Sequence, residues 1–506
     1  MFYNWDSDRA EQNINTLCDQ VDNVEIVQYK RSLDLGNIPV NKAYEMDAVH
    51  LYVDILNLNE LLVTTSGNET EYSHKRAIRF FDSHFRAIRF ILEKTDCIFV
   101  DFHNQRLHAV IPRPYGTDED EKKRLDRAVA ISDLIIKVAE QQREISGDET
   151  IPASKIRIGI DSGLALTVNN GRKKHREPLF LGNPANHAAK HSSGKSQGIY
   201  LTANARKILG LVEALDTKKT KLTVDEIISS VERAAIDKEV TQEQVVDEVC
   251  TDIKLLKDFG FTRTTPPLKD LDFTSLYYKS AKRQEILSIY ADIDGFTNFV
   301  SNNLDTIEGK ENIVRCLHVL RSEMDACLSQ DFAGRRVRFI GDCIHGILCE
   351  GTSKDTNMNN TADVGTEAVG GIRSSFLLSL DLLEERFDID ISELGLAIGY
   401  EIGETSLTRV GKKGQSTRIS LGISTINAEE EQRKCTGNAE TRIGNKAYEN
   451  LSTTYKDLFS NRSASDLTFE TVKGANIQNE AKQKESIYDS AYSFNNSNVK
   501  AHATVK

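Results

Sequence analysis

The 506-residue chain has no apolar run near the roughly 18 residues of a membrane-spanning helix, so no membrane span is expected. Its opening, "MFYNWDSDRAEQN", lacks the basic and apolar regions of a signal peptide, which makes a cytoplasmic location the expectation. None of the eight cysteines forms a Cys-x-x-Cys pair; they read as reduced, mostly core residues rather than zinc or redox ligands. A basic excess is missing too. Lys and Arg number 64 against 76 Asp and Glu, and a net charge of -12 argues against nucleic acid or an anionic membrane as partner. Any phosphate group must therefore be held locally. What remains is globular in character, 39% hydrophobic and 28% charged, and too long for one ordinary core.

The chain repeats itself. "HLYVDILNLNELL" (50–62) matches "LSIYADIDGFTNFV" (287–300), with Asp54 opposite Asp292, an offset of 238. "CIFVDFHNQRLHAVI" (97–111) matches "RVRFIGDCIHGILCE" (336–350) at the same offset, each reading as a hairpin, with Asn104 opposite Asp342. Gly159 then falls opposite Gly399 and Gly182 opposite Gly422, an offset of 240. With amphipathic helical stretches between these landmarks, the order strand, helix, hairpin, helix, strand predicts an α+β fold made of two ferredoxin-like or palm domains. The expected division is an N-terminal extension (1–43), a first copy (44–215), a helical linker (216–282), a second copy (283–475) and a disordered tail (476–506). Capping signatures Thr223 to Glu226 and Thr241 to Gln244 open helices in the linker, whereas the polar stretch "GTSKDTNMNNTADV" after Glu350 reads as loop.

In the second copy Asp292 ends a strand and Asp342 sits in the next hairpin turn, so adjacent strands would bring the two carboxylates together. Buried carboxylates need compensation, and paired aspartates with a triphosphate suit hard divalent cations. Asp294 reads as a turn or cap residue. The main chain from Gly295 through Phe296 and Thr297 opens a helix whose amides could hold phosphate oxygens.

"YADIDGFT" followed by "RFIGDC" resembles the metal-binding half of the class III nucleotidyl cyclases, the adenylate and guanylate cyclase family. The resemblance implies two domains packed head to tail, with metal aspartates on one and base-selecting and transition-state residues on the other. It assigns Asp292, Asp342 and the main chain of Ile293 to two divalent cations, Mn2+ or Mg2+. Gly182, Asn186 and Lys190 match the family's Gly, Asn and Arg positions, with catalytic roles for Asn186 on the ribose and Lys190 on phosphoryl charge. A lysine there keeps the charge and loses the forked geometry. The matching second-copy residues, Ile426 and Glu430, suit neither role, and the first copy has Asn104 for Asp342. The losses are complementary, so one complete and one degenerate site are expected in a pseudo-heterodimer within one chain.

The family's base-selecting positions fall on Val100 and Leu179, or on Phe180 with a one-residue slip, and these carry no purine-edge donors or acceptors. The chain is also similar to stand-alone bacterial pyrimidine cyclases of the Pycsar antiphage type. That implies a UTP, otherwise CTP, substrate, a cyclic-nucleotide-activated downstream effector, and no nucleic-acid or membrane partner, with further homodimerisation left open. Adenylate or guanylate cyclisation is the nearest alternative, and an inactive nucleotide-sensing module the alternative from another class. A diguanylate cyclase is not supported, because the hairpin reads "FIGDCI". In the degenerate half, Arg338 with Arg418 suggests a basic pocket for an anionic regulator.

Overall fold

The computed structural model describes residues 3–63, 68–103, 105–112, 118–170, 178–212, 221–253, 259–437 and 439–477. Asn104, residues 216–220 and 254–258 of the expected linker, and nearly all of the expected disordered tail lie outside them. The strands fall into two seven-stranded sheets. The first holds β1 (Glu25–Gln28), β2 (Lys42–Ile55), β3 (Ile98–His103), β4 (Arg106–Ile111), β5 (Ile156–Asn169), β6 (Pro178–Leu181) and β7 (Gly198–Leu201). The second holds β8 (Lys282–Asp294), β9 (Arg335–Ile340), β10 (Cys343–Leu348), β11 (Gly395–Val410), β12 (Thr417–Leu421), β13 (Glu440–Ile443) and β14 (Ser463–Ser465).

The two sheets share a topology. The order β3-β4-β2-β5 in one is β9-β10-β8-β11 in the other, antiparallel throughout, with β7 and β13 added in parallel to β5 and β11. This is the ferredoxin-like arrangement, twice. Helices Glu71–Lys94 and Asp118–Glu140 belong to the first copy, Ile307–Ala326 and Met358–Phe387 to the second. The side-chain alternation of β8 sorts its residues. Ile289, Ala291 and Ile293 enter the core beneath the second pair of helices, while Tyr290 lies on the opposite face against Ala428 of helix Ile423–Arg433. Gly159 and Gly399, matched by the repeat, share a physical cause: a Cβ would lie 2.3 Å from Ser192 N in one copy and 2.1 Å from Gln432 N in the other. In each copy a helix backbone crosses the strand where no side chain fits.

Both linker signatures form. Thr223 and Glu226 make a capping box at helix Val224–Ala234, and Thr241 and Gln244 bond reciprocally at the start of helix Gln242–Ile253. The stretch after Glu350 is different from the expected loop, because helix Met358–Phe387 begins inside it, capped by the Asn357 side chain. Its buried face is largely small, with Ala362, Gly365, Thr366, Ala368, Gly370 and Gly371, so it carries little large-apolar periodicity. A Cβ on Gly365 would meet Leu287 at 2.4 Å.

The N-terminal extension binds both copies. Ile14, Leu17 and Cys18 of helix Ser7–Gln20 join the core of the second copy, and β1 then pairs with β2 of the first. Arg9 is the polar anchor, 2.8 Å from Glu323 and 2.7 Å from Asp331. Glu323 is fully buried, and burial pushes Asp331 up to about 6 even with Arg9 beside it. Arg9→Met should lower the urea midpoint at pH 8 by the equivalent of about 3 kcal/mol, the scale for orphaning a buried charge. The loss should shrink at pH 5, where the carboxylates accept protons, and an unchanged midpoint at pH 8 would show that Arg9 is not an anchor.

Candidate active site

Three features of the second copy converge where β8 ends. Pairing of Ile344 with Ala291 sets the β9–β10 turn alongside Asp292, and pairing of Ala397 with Asp292 closes the other side. The turn carries Asp342 after Gly341, which adopts a φ of 64°. Burial, then the Asp294 charge, raises Asp292 to about 6. Asp342 is raised well above the carboxylate range, first by burial and then by Asp292. The Gln432 amide donates to Asp292 Oδ2 at 3.3 Å, and among the described residues neither aspartate has an ion pair.

This donor set fits a hard divalent cation, because two crowded carboxylates that resist joint ionisation gain most from external positive charge. Among the described residues no group of three or more His, Cys, Asp or Glu forms a closed metal cage. The arrangement suits an ion completing its shell with substrate oxygens. The Ile293 side chain is buried in the core. Gly295 turns the chain with a φ of 79°, where a Cβ would lie 2.6 Å from Glu393 O, and helix Phe296–Asn303 follows. The Phe296 side chain packs in the core and Thr297 is exposed. The Asp294 carboxylate accepts from Gly295 N–H at 3.1 Å.

Helix Asn183–Ser192 of the first copy docks on this region. Ser301 Oγ lies 3.1 Å from Asn183 Oδ1, and Leu304 packs at the N-cap Gly182. Asn186 is half-buried and Lys190 exposed, one turn apart. On the pseudo-symmetric side Ile426 and Glu430 line a cleft of about 180 Å3 with Leu56, Leu58, Gln105 and Arg106. Ile426 and Glu430 thus face the first copy's strand end and hairpin.

Leu179 and Val100 are not brought together. Leu179 joins the core shared with the second copy, whereas Val100 packs with Phe180, Met46, Ala48 and Ala185. Strand alternation in β6 makes Phe180 the neighbour of Val100, which favours the one-residue slip. Beside this wall lies a group that the sequence did not reveal. His50 Nδ1 and His108 Nε2 are 3.1 Å apart, His108 stacks on Tyr52 at 4.1 Å, and Phe180 meets both imidazoles edge-on. Burial depresses His50 to about 3 and His108 well below its ordinary value, so both are neutral. Single histidines inside the apolar runs "AVHLYVD" and "RLHAVI" gave no spacing signal.

The degenerate half is closed by arginines. Arg106 donates to Asp54 Oδ2 and to Ser193 Oγ, each at 3.0 Å, and so places a tethered cation on the aspartate that remains there. Arg338 is buried. It pairs with Asp101 at 2.5 Å and donates to Phe102 O, Thr417 Oγ1 and Arg418 O. The expected basic pocket is replaced by a bonded lock between the copies, with Arg418 itself donating to Val337 O at 3.2 Å.

The raised aspartates fix a sign for stability. Between about pH 4 and pH 6 the native chain holds more protons at Asp292 than the unfolded chain, so this group's contribution falls as pH rises through that window. Asp292→Asn should raise the melting temperature of metal-free protein at pH 8 and leave it unchanged at pH 4. Added Mn2+ should stabilise the wild type more than the variant. Equal melting temperatures at pH 8 would refute the crowding.

No protein-family model matches the chain. A uridylate cyclase from Pseudomonas aeruginosa is 45% identical over 463 residues, covering 91% of this chain and 88% of its own. A uridylate cyclase from Rhizobium sp. (strain PP-F2F-G36) is 36% identical over 84% of this chain and 82% of its own. Among solved structures, a class III adenylyl cyclase-like ATP-binding protein from Pseudomonas aeruginosa superposes with a TM-score of 0.89 at 44% identity, over 94% of this chain and 100% of that one. With the duplicated fold and the paired aspartates, these similarities establish that the chain belongs to the uridylate cyclase family of class III nucleotidyl cyclases.

Proposed function

We propose that the protein converts UTP to 3′,5′-cyclic UMP and pyrophosphate. The observation that carries this reading is the half-buried Asp292–Asp342 pair, brought together by the pairing of β8 with β10 and β11, with no ion-pair partner among the described residues. The ribose 3′-oxygen forms a bond to the α-phosphorus, the bond from that phosphorus to the bridging β-oxygen breaks, and pyrophosphate leaves as the hydroxyl proton is released. Asp292, Asp342 and the Ile293 carbonyl would hold two divalent cations, Mn2+ or Mg2+. Such ions supply charge neutralisation to the triphosphate and acidity to the attacking hydroxyl. Gly295, Phe296 and Thr297 offer main-chain amides to phosphate oxygens. From the first copy, Asn186 orients the ribose and Lys190 stabilises charge on the phosphoryl oxygens.

The base choice rests on the Val100–Phe180 wall and the neutral His50–His108 pair beside it. An apolar wall sets size, and neutral imidazoles offer a donor and an acceptor without a charge preference. Both curated relatives are named uridylate cyclases; the similar crystal structure is named for ATP binding, which makes ATP the competing substrate. Cyclic UMP would then act as a second messenger on an effector in antiphage defence, within the cytoplasm.

The decisive assay presents UTP, CTP, ATP and GTP separately with Mn2+ and identifies products by mass spectrometry. Cyclic UMP should dominate; cyclic AMP as main product would overturn the base reading, and no cyclic product at all would overturn the reaction. Lys190→Ala should reduce turnover roughly 10²- to 10³-fold, the scale for one preorganised charge-stabilising donor. Mixing full-length Asp292→Asn with Lys190→Ala should restore nothing, since both halves of the site come from one chain; recovered activity would place them on different chains.

A further inference from the structure

Arg321, on helix Ile307–Ala326, is 4% exposed, yet among the described residues it makes no ion pair. Its guanidinium instead bonds three groups of main chain and amide character. One nitrogen donates to Gly341 O at 2.7 Å and to Asn170 Oδ1 at 2.5 Å, while the other terminal nitrogen donates to Asn169 O at 3.3 Å. Its plane lies over the Phe339 ring at 4.6 Å, and Nε returns to Leu317 O at 3.2 Å. Gly341 immediately precedes Asp342 in the β9–β10 turn. Asn169 ends β5, from which the first copy runs on to β6, with Phe180, and to the helix with Asn186 and Lys190.

We propose that Arg321 is a positioning residue of the composite site, tying the turn that presents Asp342 to the first-copy strand that leads to the base wall and the Asn186–Lys190 helix. Burial makes the arrangement costly for a cation, so it persists only with its donors satisfied. The planar fork is well shaped for this, since it reaches carbonyls on two chain segments at once, which a lysine cannot. The pseudo-symmetric contact is built differently. There Asp82 accepts from Gly411 N–H at 2.7 Å and Arg86 donates to Gly411 O at 3.1 Å, so the first copy's long helix grips the opposite hairpin through an Asp–Arg pair. Arg321 lies where the catalytic half needs its two halves in register.

This inference rests on the cyclase reading for its kinetic arm only. In the full-length chain, Arg321→Lys should lower kcat for UTP about 10- to 100-fold at saturating Mn2+ while KM moves less than about threefold, as a sub-ångström to ångström misplacement of a reacting group would. Hydrogen–deuterium exchange on metal-free protein should rise in peptides covering 339–345 and 164–170 and stay unchanged elsewhere. Asn170→Ala should cause a smaller loss with the same exchange pattern, and the double variant should be no slower than Arg321→Lys alone. Arg86→Met, which breaks the pseudo-symmetric contact, should leave kcat within about threefold. Unchanged exchange in both peptides, multiplicative losses in the double variant, or exchange rising across the whole chain would each overturn the positioning role. A wild type that makes no cyclic UMP would instead overturn the cyclase reading, with the exchange arm still deciding on Arg321.

Discussion

Asp292 and Asp342 repel each other at the end of a buried strand, and the rest of the molecule is organised around that unfavourable pair. Burial and like charge act in the same direction, holding both carboxylates above their ordinary range. In the first copy, where the sequence has Asn104 for Asp342, Arg106 sits on the one remaining aspartate, Asp54. A pair left without such a partner is a donor set that would suit an external cation. The two copies thus differ at the matching strand end, with a bonded arginine beside one aspartate in the first and two aspartates without an ion pair among the described residues in the second.

A site divided between two domains depends on their relative placement. Side-chain bonds across the interface are numerous and of different kinds. Arg338 crosses from β9 to Asp101 and Phe102, Lys310 pairs with Glu45 at 2.6 Å, and Arg321 reaches Asn169 and Asn170. The N-terminal helix adds apolar area to the second copy while its strand extends the first sheet. Buried, geometrically demanding polar bonds contribute little net stability against an apolar alternative. Their value here is angular, since an arginine fork satisfied by two segments admits few relative orientations of those segments.

The repeat, the ferredoxin-like order and the adjacency of Asp292 and Asp342 were legible in the sequence because strands alternate with period two and hairpin turns need short polar residues. The alignment of base-wall residues was not, because in β6 a shift of one position exchanges Leu179 for Phe180 and moves the side chain to the other face. A helix after the hairpin was expected, but the start of helix Met358–Phe387 was hidden by the small residues through which it packs. Arg106, Arg321 and Arg338 were the least visible, Arg338 being seen only as a free cation. An arginine's partners are main-chain oxygens and distant carboxylates, so its role depends on tertiary placement that no local pattern encodes.

Duplication within one chain is what permits this asymmetry. In a symmetric homodimer every residue enters both sites, so an Arg106 placed on the aspartate would disable each of them, and a Glu430 in place of a lysine would set a carboxylate opposite bound phosphate in each. Joined copies remove that coupling. On the proposed roles, the first could replace a metal ligand and keep Asn186 and Lys190, while the second could lose those two and keep its aspartates. With complementary losses of that kind, neither copy would form a working site with a second copy of itself. On that reading the contacts that join unlike faces matter most, among them the Ser301–Asn183 bond and the three-way bonding of Arg321.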